Sequence, residues 1–205
     1  IKELEQTQFE RKQKKVLLIA GAMVVFDKGV IRFLNHMAEV DSDCQYVLLS
    51  EVTAEFRRKT KDMINFYSIC TPHLLAKEIL VPCMEVPVSE EVKDYLDQHE
   101  YLKLAAENLK KRHVNIGSGY AEALVYYADL YIRKILKKIK PDCVLIWNEF
   151  YAFHMILGAL CEKNHIKRKY MEFGCIPGTF VIEAKGQQGE SFPGRHPYFF
   201  SCLPL

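Results

Sequence analysis

Carboxylates and glycines are interleaved between positions 170 and 191, in a pattern that could support chemistry. This segment reads YMEFGCIPGTFVIEAKGQQGES and contains Glu172, Glu183 and Glu190. Glycine permits positive φ and the close approach of a ligand, and a glycine-proline turn begins at Gly174. A positioned carboxylate can accept a proton from an alcohol nucleophile. The pattern predicts that Glu172 is a general base at the end of a strand, and the alternative is an ion-paired surface glutamate.

Other polar or flexible residues follow predicted strands in the same way. Asn148 and Glu149 come after an apolar run at 144–147, and Gly21 comes after a run that starts at Lys15. Ligands of open α/β sheets bind outside the carboxyl ends of the strands. An amide donates and accepts hydrogen bonds, which suits a sugar hydroxyl, while the alternative is that Asn148 caps the next helix. The predicted substrate-binding residues are Gly21, Asn148, Glu149, Gly174 and Thr179.

Strand-like and helix-like segments alternate along the chain and must position these residues. This alternation predicts an α/β fold, a three-layer Rossmann-like domain with a mainly parallel sheet. The predicted strands start near Val16, Tyr46, Ile79, Val144 and Lys169, and 180–183 is either a short strand or an extended loop. The predicted helices span 27–40, a basic segment at 52–67, 89–113, 118–138 and 151–164. Gly117-Ser118-Gly119 precedes a long helix and is either an anion site or a flexible cap.

Length and composition bound the class of protein. The chain has 205 residues, of which 49% are hydrophobic and 26% charged, and its formal net charge is +2. These values are ordinary for a globular domain and give no reason to expect nucleic-acid binding. The seven cysteines form no CxxC pair, which predicts reduced thiols in a cytoplasmic protein and no metal site.

The chain divides into three predicted regions. Residues 1–14 form a polar arm, which is a solvated helix or disordered, and 15–191 form the Rossmann-like domain. Residues 192–205 are rich in proline and aromatic residues and form a C-terminal arm or a crossover to another domain. The chain begins with Ile, which predicts that it is part of a longer protein.

The segment from Asn148 to Ser191 resembles the acceptor-side domain of bacterial capsular polysaccharide biosynthesis proteins. These proteins are similar to Kdo-transferase-type glycosyltransferases. The match covers roughly the last third of the chain, and Glu183 stands where the pattern has Asp. The matching positions are Asn148, Tyr170, Glu172, Gly174, Pro177, Thr179, Glu183, Gly186 and Ser191.

The resemblance implies a GT-B arrangement, in which this chain is the N-terminal, acceptor-side half. The partners would be a glycan or lipid-linked sugar acceptor and a nucleotide-sugar donor, with no cofactor. The donor would bind mainly in a second domain, so the chain alone is expected to transfer little or no sugar. One alternative is a non-catalytic sugar- or nucleotide-binding domain for assembly or regulation. Another uses the basic segment 57–61 to approach anionic lipid at the inner face of the membrane, although a solvated helix face also explains that segment.

Overall fold

A computed structural model describes residues 9–21, 28–50, 66–70, 85–113, 115–173 and 179–184. The described strands form one six-stranded sheet in the order β3-β2-β1-β4-β5-β6. The strands are β1 (Lys15–Ala20), β2 (Cys44–Ser50), β3 (Phe66–Cys70), β4 (Cys143–Trp147), β5 (Lys167–Phe173) and β6 (Phe180–Glu183). The helices are α1 (Lys28–Val40), α2 (Glu90–Asp97), α3 (Glu100–Arg112), α4 (Tyr120–Ile139) and α5 (Ala152–Lys163).

Strands β1 to β5 are all parallel, whereas β6 pairs antiparallel with β5. The prediction of a mainly parallel α/β sheet is therefore confirmed, and the strand order is compatible with a Rossmann-like fold. From β1 the chain builds outward to β3 and then returns to place β4 on the other side of β1. The order reverses between β1 and β4, and ligands of such sheets bind outside the carboxyl ends of the strands at this reversal.

The central strands are apolar on both faces, as parallel strands covered by helices usually are. One face belongs to a first core cluster, which includes buried residues of α2, α3, α4 and α5. The opposite face belongs to a second core cluster, against which Phe33, Met37 and Ala38 of α1 pack. In β4, for example, Val144 and Ile146 lie in the first cluster and Leu145 and Trp147 in the second. Strand β4 is thereby packed on both faces of the sheet.

The third strand differs from its predicted position. The sequence predicted a helix over 52–67, but Phe66–Cys70 forms β3 in register with Tyr46 to Ser50 of β2. The predicted end of that helix is therefore wrong, because aromatic and β-branched residues of FYSIC suit a strand paired to β2. The predicted strand at 78–83, and residues 52–65, lie outside the described residues.

The predicted helix over 89–113 is two helices in the structure. Ser89 caps α2, as its hydroxyl accepts a hydrogen bond from the Val92 amide at 3.3 Å. The chain then turns at Gln98 and His99, and the His99 Nδ1 lies 2.8 Å from the Tyr95 carbonyl oxygen. The break reorients α3, whose residues Tyr101 and Asn108 contribute to the cavity described below.

The described end of the N-terminal arm is not helical and packs on the domain. The Arg11 guanidinium donates to the Asp142 carboxylate at 2.8 Å. The Gln45 side chain accepts from the Lys12 amide and donates to the Glu10 carbonyl, both at 3.0 Å. The prediction of a solvated helix is therefore wrong for residues 9–14. Separately, no helix among the described residues combines the length and apolarity needed to cross a membrane.

The glycine loop before α4 is a close-packed turn. Gly119 has a φ of 73°, in the left-handed region, and a β-carbon there would collide with the Val86 carbonyl oxygen. The Val86 amide donates to the Ser118 carbonyl at 2.8 Å, which ties the two segments together. The glycine is thus explained by its backbone conformation and by the close approach of Val86.

We expect Gly119→Ala to lower the free energy of unfolding by at least about 1–2 kcal/mol, since alanine is strained in the left-handed region and collides with Val86. Urea unfolding measures this loss. Ser118→Ala is the matched control, because Ser118 is exposed, and its effect should stay within about 0.5 kcal/mol. A Gly119→Ala protein as stable as this control would contradict the packing role.

Candidate functional site

Those predicted substrate-binding or catalytic residues that the structure describes lie at the carboxyl edge of the sheet. Gly21 follows β1, and its amide donates to the Leu49 carbonyl at 3.2 Å. Asn148 follows β4, and Glu172 is the second-last residue of β5. Thr179 is exposed and directly precedes β6, whose first residue pairs with the last residue of β5. Gly174 lies outside the described residues.

A tight turn joins β4 to α5 and is built around Asn148. Its backbone has a φ of 54°, and its Oδ1 accepts a hydrogen bond from the Phe150 amide at 3.2 Å. The same oxygen lies 3.3 Å from the His154 Nδ1. The residue at the N-cap of α5 is Tyr151, so the interpretation of Asn148 as the helix cap is wrong. The Asn148 side chain instead contacts the Phe150 amide and the His154 ring within the turn. These contacts position the neighbouring Glu149.

His154 is fully buried one turn into α5, and the sequence analysis did not identify it. Burial lowers the pKa of its imidazole to about 3, and the nearby Arg112 guanidinium acts in the same direction. The ring is therefore neutral, and Nδ1 carries the proton because it faces the Asn148 Oδ1, an acceptor. Its Nε2 has no hydrogen-bond partner among the described residues. The available signal was a histidine inside the otherwise apolar run AFHMILGAL.

This buried histidine should make stability depend on pH. In the unfolded chain the imidazole takes up a proton below its ordinary pKa of about 6.5, whereas in the folded protein it does so only near 3. Stability is therefore fully present above about pH 6.5 and is lost as the pH falls toward 3. Between about pH 7 and about pH 5 we expect a loss of about 2 kcal/mol that His154→Gln does not show.

Urea unfolding over a pH series measures this difference between the wild type and His154→Gln. The control is His36→Gln, whose side chain is 75% exposed, and it should follow the wild-type pH profile. If His154→Gln loses as much stability on acidification as the wild type, the imidazole is not held neutral by burial.

A cavity of about 450 Å³ opens beside this turn, between α3, α5 and β5. Part of its wall is apolar, with Leu104 and Phe150 each about half exposed. Its polar and aromatic lining comprises Tyr101, Asn108, Glu149, Glu162, Arg168 and Tyr170. An apolar cavity with a few convergent polar groups is the usual form of a small-molecule site.

A chain of hydrogen bonds crosses the floor of the cavity. The Tyr170 hydroxyl is bonded to the Glu149 carboxylate and also contacts Arg168. Burial, followed by the bond to Glu149, raises the pKa of the Tyr170 phenol, so it stays neutral and donates. Arg168 donates to the Gly158 carbonyl at 3.0 Å and to the Glu162 carboxylate at 2.9 Å. Gly158 also makes room here, since a β-carbon on it would lie 3.1 Å from the Tyr170 hydroxyl.

The α3 side of the cavity is supported by a buried carboxylate, Asp129 of α4, which is 0% exposed. The Tyr95 and Tyr101 hydroxyls each donate to it at 2.6 Å, and the Arg133 Nε donates at 2.7 Å. Burial and the bond to Asp129 raise the pKa of Tyr95 to about 12. Tyr101 lines the cavity, so this Asp129 network holds the cavity wall. The sequence analysis missed it, although an Asp and an Arg four residues apart in an apolar helix were a signal.

Glu172 lies near the cavity but does not line it. It is half-buried and shares a face of β5 with Tyr170, because side chains two residues apart in a strand point the same way. Glu183 of β6 is directly opposite Tyr170 and lies on the same face. The structure thus brings together Glu149 and Tyr170 in the cavity. Glu172 lies two residues beyond Tyr170 along β5, closer to the carboxyl edge. Gly21 follows β1, which is two strands away from β5 in the sheet.

The described residues bear on the predictions for metal ligands and for thiols. No three histidine, cysteine, aspartate or glutamate side chains are grouped there so as to hold a metal ion. Cys44, Cys143 and Cys161 are free thiols, as predicted. Burial raises the pKa of each, that of Cys161 to about 12, so these thiols are poor nucleophiles.

Comparison of the chain with models of protein families, with curated proteins and with solved structures finds no match. The geometry of the cavity and of the carboxyl edge is therefore the basis for assigning a function.

Proposed function

We propose that the chain is the acceptor-side domain of a GT-B glycosyltransferase in capsular or surface polysaccharide biosynthesis. It would help transfer a sugar from a nucleotide-sugar donor to a hydroxyl of a glycan. The observation that carries this proposal is the cavity beside the β4–α5 turn, with Glu149 in its wall and Glu172 next to it on β5.

The lining of the cavity suits a sugar. A sugar ring has apolar C–H faces and polar hydroxyl edges, so it needs both kinds of surface. The exposed apolar groups of Leu104 and Phe150 can meet the first, and the Glu149 carboxylate can accept hydrogen bonds from the second. A volume of about 450 Å³ lies within the usual range for small-molecule sites.

The sheet supports the Rossmann-like, three-layer part of the proposal. Its strand order reverses between β1 and β4, which is where α/β domains of this kind bind ligands. Asn148 directly follows β4 at that reversal, and Gly21 directly follows β1. A donor bound by a second domain would approach this edge, while the acceptor occupies the cavity.

In the proposed reaction Glu172 acts as the general base. It takes the proton of the acceptor hydroxyl, and the oxygen forms a bond to the anomeric carbon of the donor sugar. The bond from that carbon to the nucleotide phosphate breaks, and the nucleotide leaves with the electron pair. A positioned base contributes about a hundredfold to ten-thousandfold to such a step. Asn148 and Glu149 position the acceptor.

A non-catalytic sugar-binding domain is the second candidate, favoured by the observation that Glu172 does not line the cavity. Two measurements separate the candidates: binding of acceptor glycans to the chain, and transfer from a panel of nucleotide sugars by the protein purified from its native source. We expect binding by both preparations and transfer by the native protein, with little transfer by the chain alone. If acceptors bind but the native protein transfers no sugar, the glycosyltransferase proposal is contradicted and the non-catalytic sugar-binding domain is favoured.

A further inference from the structure

Among the charged groups that line the cavity, anions outnumber cations. Two carboxylates, Glu149 and Glu162, and one guanidinium, Arg168, line it among the described residues. We propose that the cavity selects neutral or amino sugars and rejects sugars that carry a carboxylate or phosphate. This inference rests on the proposed function for the occupant being a sugar, and it names the class of that sugar.

Arg168, the cation of the described lining, is paired with the Glu162 carboxylate. Its two terminal nitrogens donate to the Gly158 carbonyl and to the Glu162 carboxylate, and it also contacts the Tyr170 hydroxyl. An anionic ligand at Arg168 would compete with Glu162 for the guanidinium charge and would lie beside two carboxylates. Such like-charge contacts are unfavourable, most of all where solvent is partly excluded.

Glu149, in contrast, has acceptor capacity left. The carboxylate offers about four lone-pair positions, and the Tyr170 hydroxyl occupies one of them. Glu149 is half-buried, so its remaining lone pairs are partly withdrawn from water and favour a ligand that donates hydrogen bonds. Sugar hydroxyls donate, and an ammonium group donates with the added attraction of its charge.

Two cations lie behind the cavity wall rather than in its lining. The Lys163 ammonium lies 4.2 Å from the centre of the Tyr101 ring, and the Arg112 guanidinium donates to the Phe150 carbonyl at 2.7 Å. Neither side chain lines the cavity. The described lining therefore carries a net negative charge, which a neutral or positively charged sugar tolerates and an acidic sugar does not.

Three monosaccharides with the same ring test the selection: glucose, glucosamine and glucuronic acid, as methyl glycosides in mildly acidic buffer. Saturation-transfer NMR and titration with the 205-residue chain give their relative affinities. We expect glucose and glucosamine to bind, with glucosamine at least as tight as glucose, and glucuronic acid at least about tenfold weaker. Binding of glucuronic acid as tight as that of glucose, or binding of none of the three, would overturn the proposal.

Two variants of cavity residues test whether the cavity is the site that discriminates between these sugars. Glu149→Gln should remove the preference for glucosamine over glucose, because it removes the carboxylate that attracts the ammonium. Glu162→Gln should instead strengthen glucuronic acid binding, because it frees one arm of Arg168 for an anion. Unchanged rank orders in both variants would contradict this site.

The same data distinguish failure of this inference from failure of the proposed function. If the sugars bind in the predicted rank order but the native protein transfers no sugar, the proposed selectivity is supported and the proposed enzymatic activity is contradicted. If the native protein transfers sugar to an acidic acceptor that binds this cavity, the proposed selectivity is contradicted and the proposed enzymatic activity is supported.

Discussion

Asp129→Asn is expected to lower the free energy of unfolding by about 3 kcal/mol. The Asp129 carboxylate is fully buried and accepts hydrogen bonds from the Tyr95 and Tyr101 hydroxyls and from Arg133. Asparagine has nearly the same shape but only one acceptor oxygen, so at least one hydroxyl loses its bond and Arg133 loses its counter-charge. Urea unfolding at neutral pH measures the loss.

Asp97→Asn is the matched control for this prediction. The Asp97 carboxylate also pairs with a cation, Lys103 at 2.9 Å, but its side chain is 73% exposed. Exposed ion pairs contribute less than about 1 kcal/mol, so the same chemical change should matter little there. Equal losses at Asp97 and Asp129 would show that burial does not set the strength of the Asp129 network.

Glu172→Gln should lower turnover by about a hundredfold to ten-thousandfold if Glu172 is the general base. The change keeps the shape of the side chain and removes its ability to accept a proton. Acceptor binding and the free energy of unfolding should change little, because glutamine fills the same space and its amide oxygen still accepts a hydrogen bond. Initial rates over a range of acceptor concentrations with the native-source protein separate turnover from binding.

Two neighbouring glutamates serve as controls for the role of Glu172. Glu183→Gln alters a carboxylate on the same face of the sheet, opposite Tyr170, and should leave turnover within a few-fold of the wild type. Glu149→Gln should instead weaken acceptor binding, because Glu149 lies in the cavity wall. Near-normal turnover in Glu172→Gln would show that this carboxylate is structural.

The sequence predicted best those elements whose pattern is local and strong. The apolar runs that became β1, β2 and β4 were identified because strands buried on both faces are continuously hydrophobic. Helix α4 was also predicted well, since helical periodicity acts within a few positions. The mainly parallel sheet followed from the alternation of these elements.

Elements whose conformation depends on a distant partner were predicted poorly. Strand β3 at Phe66–Cys70 pairs with β2, which is distant in sequence. The residues around Phe66 therefore do not by themselves predict this pairing. The direction of β6 was not predicted, and the structure shows that it pairs antiparallel with β5. The break between α2 and α3 was missed because the helical pattern continues across it.

The sequence by itself determined which side chains stand at strand ends, since a strand boundary is a local feature of the chain. It thereby indicated Asn148, Glu149 and Glu172 at one edge of the sheet. Only the tertiary structure decided which of these groups meet. Parallel pairing of β4 with β5 brings Glu149 to Tyr170, and helix packing brings Asp129 to Tyr101. These contacts join residues far apart in sequence, and they depend on sheet order and helix packing, which no local pattern encodes.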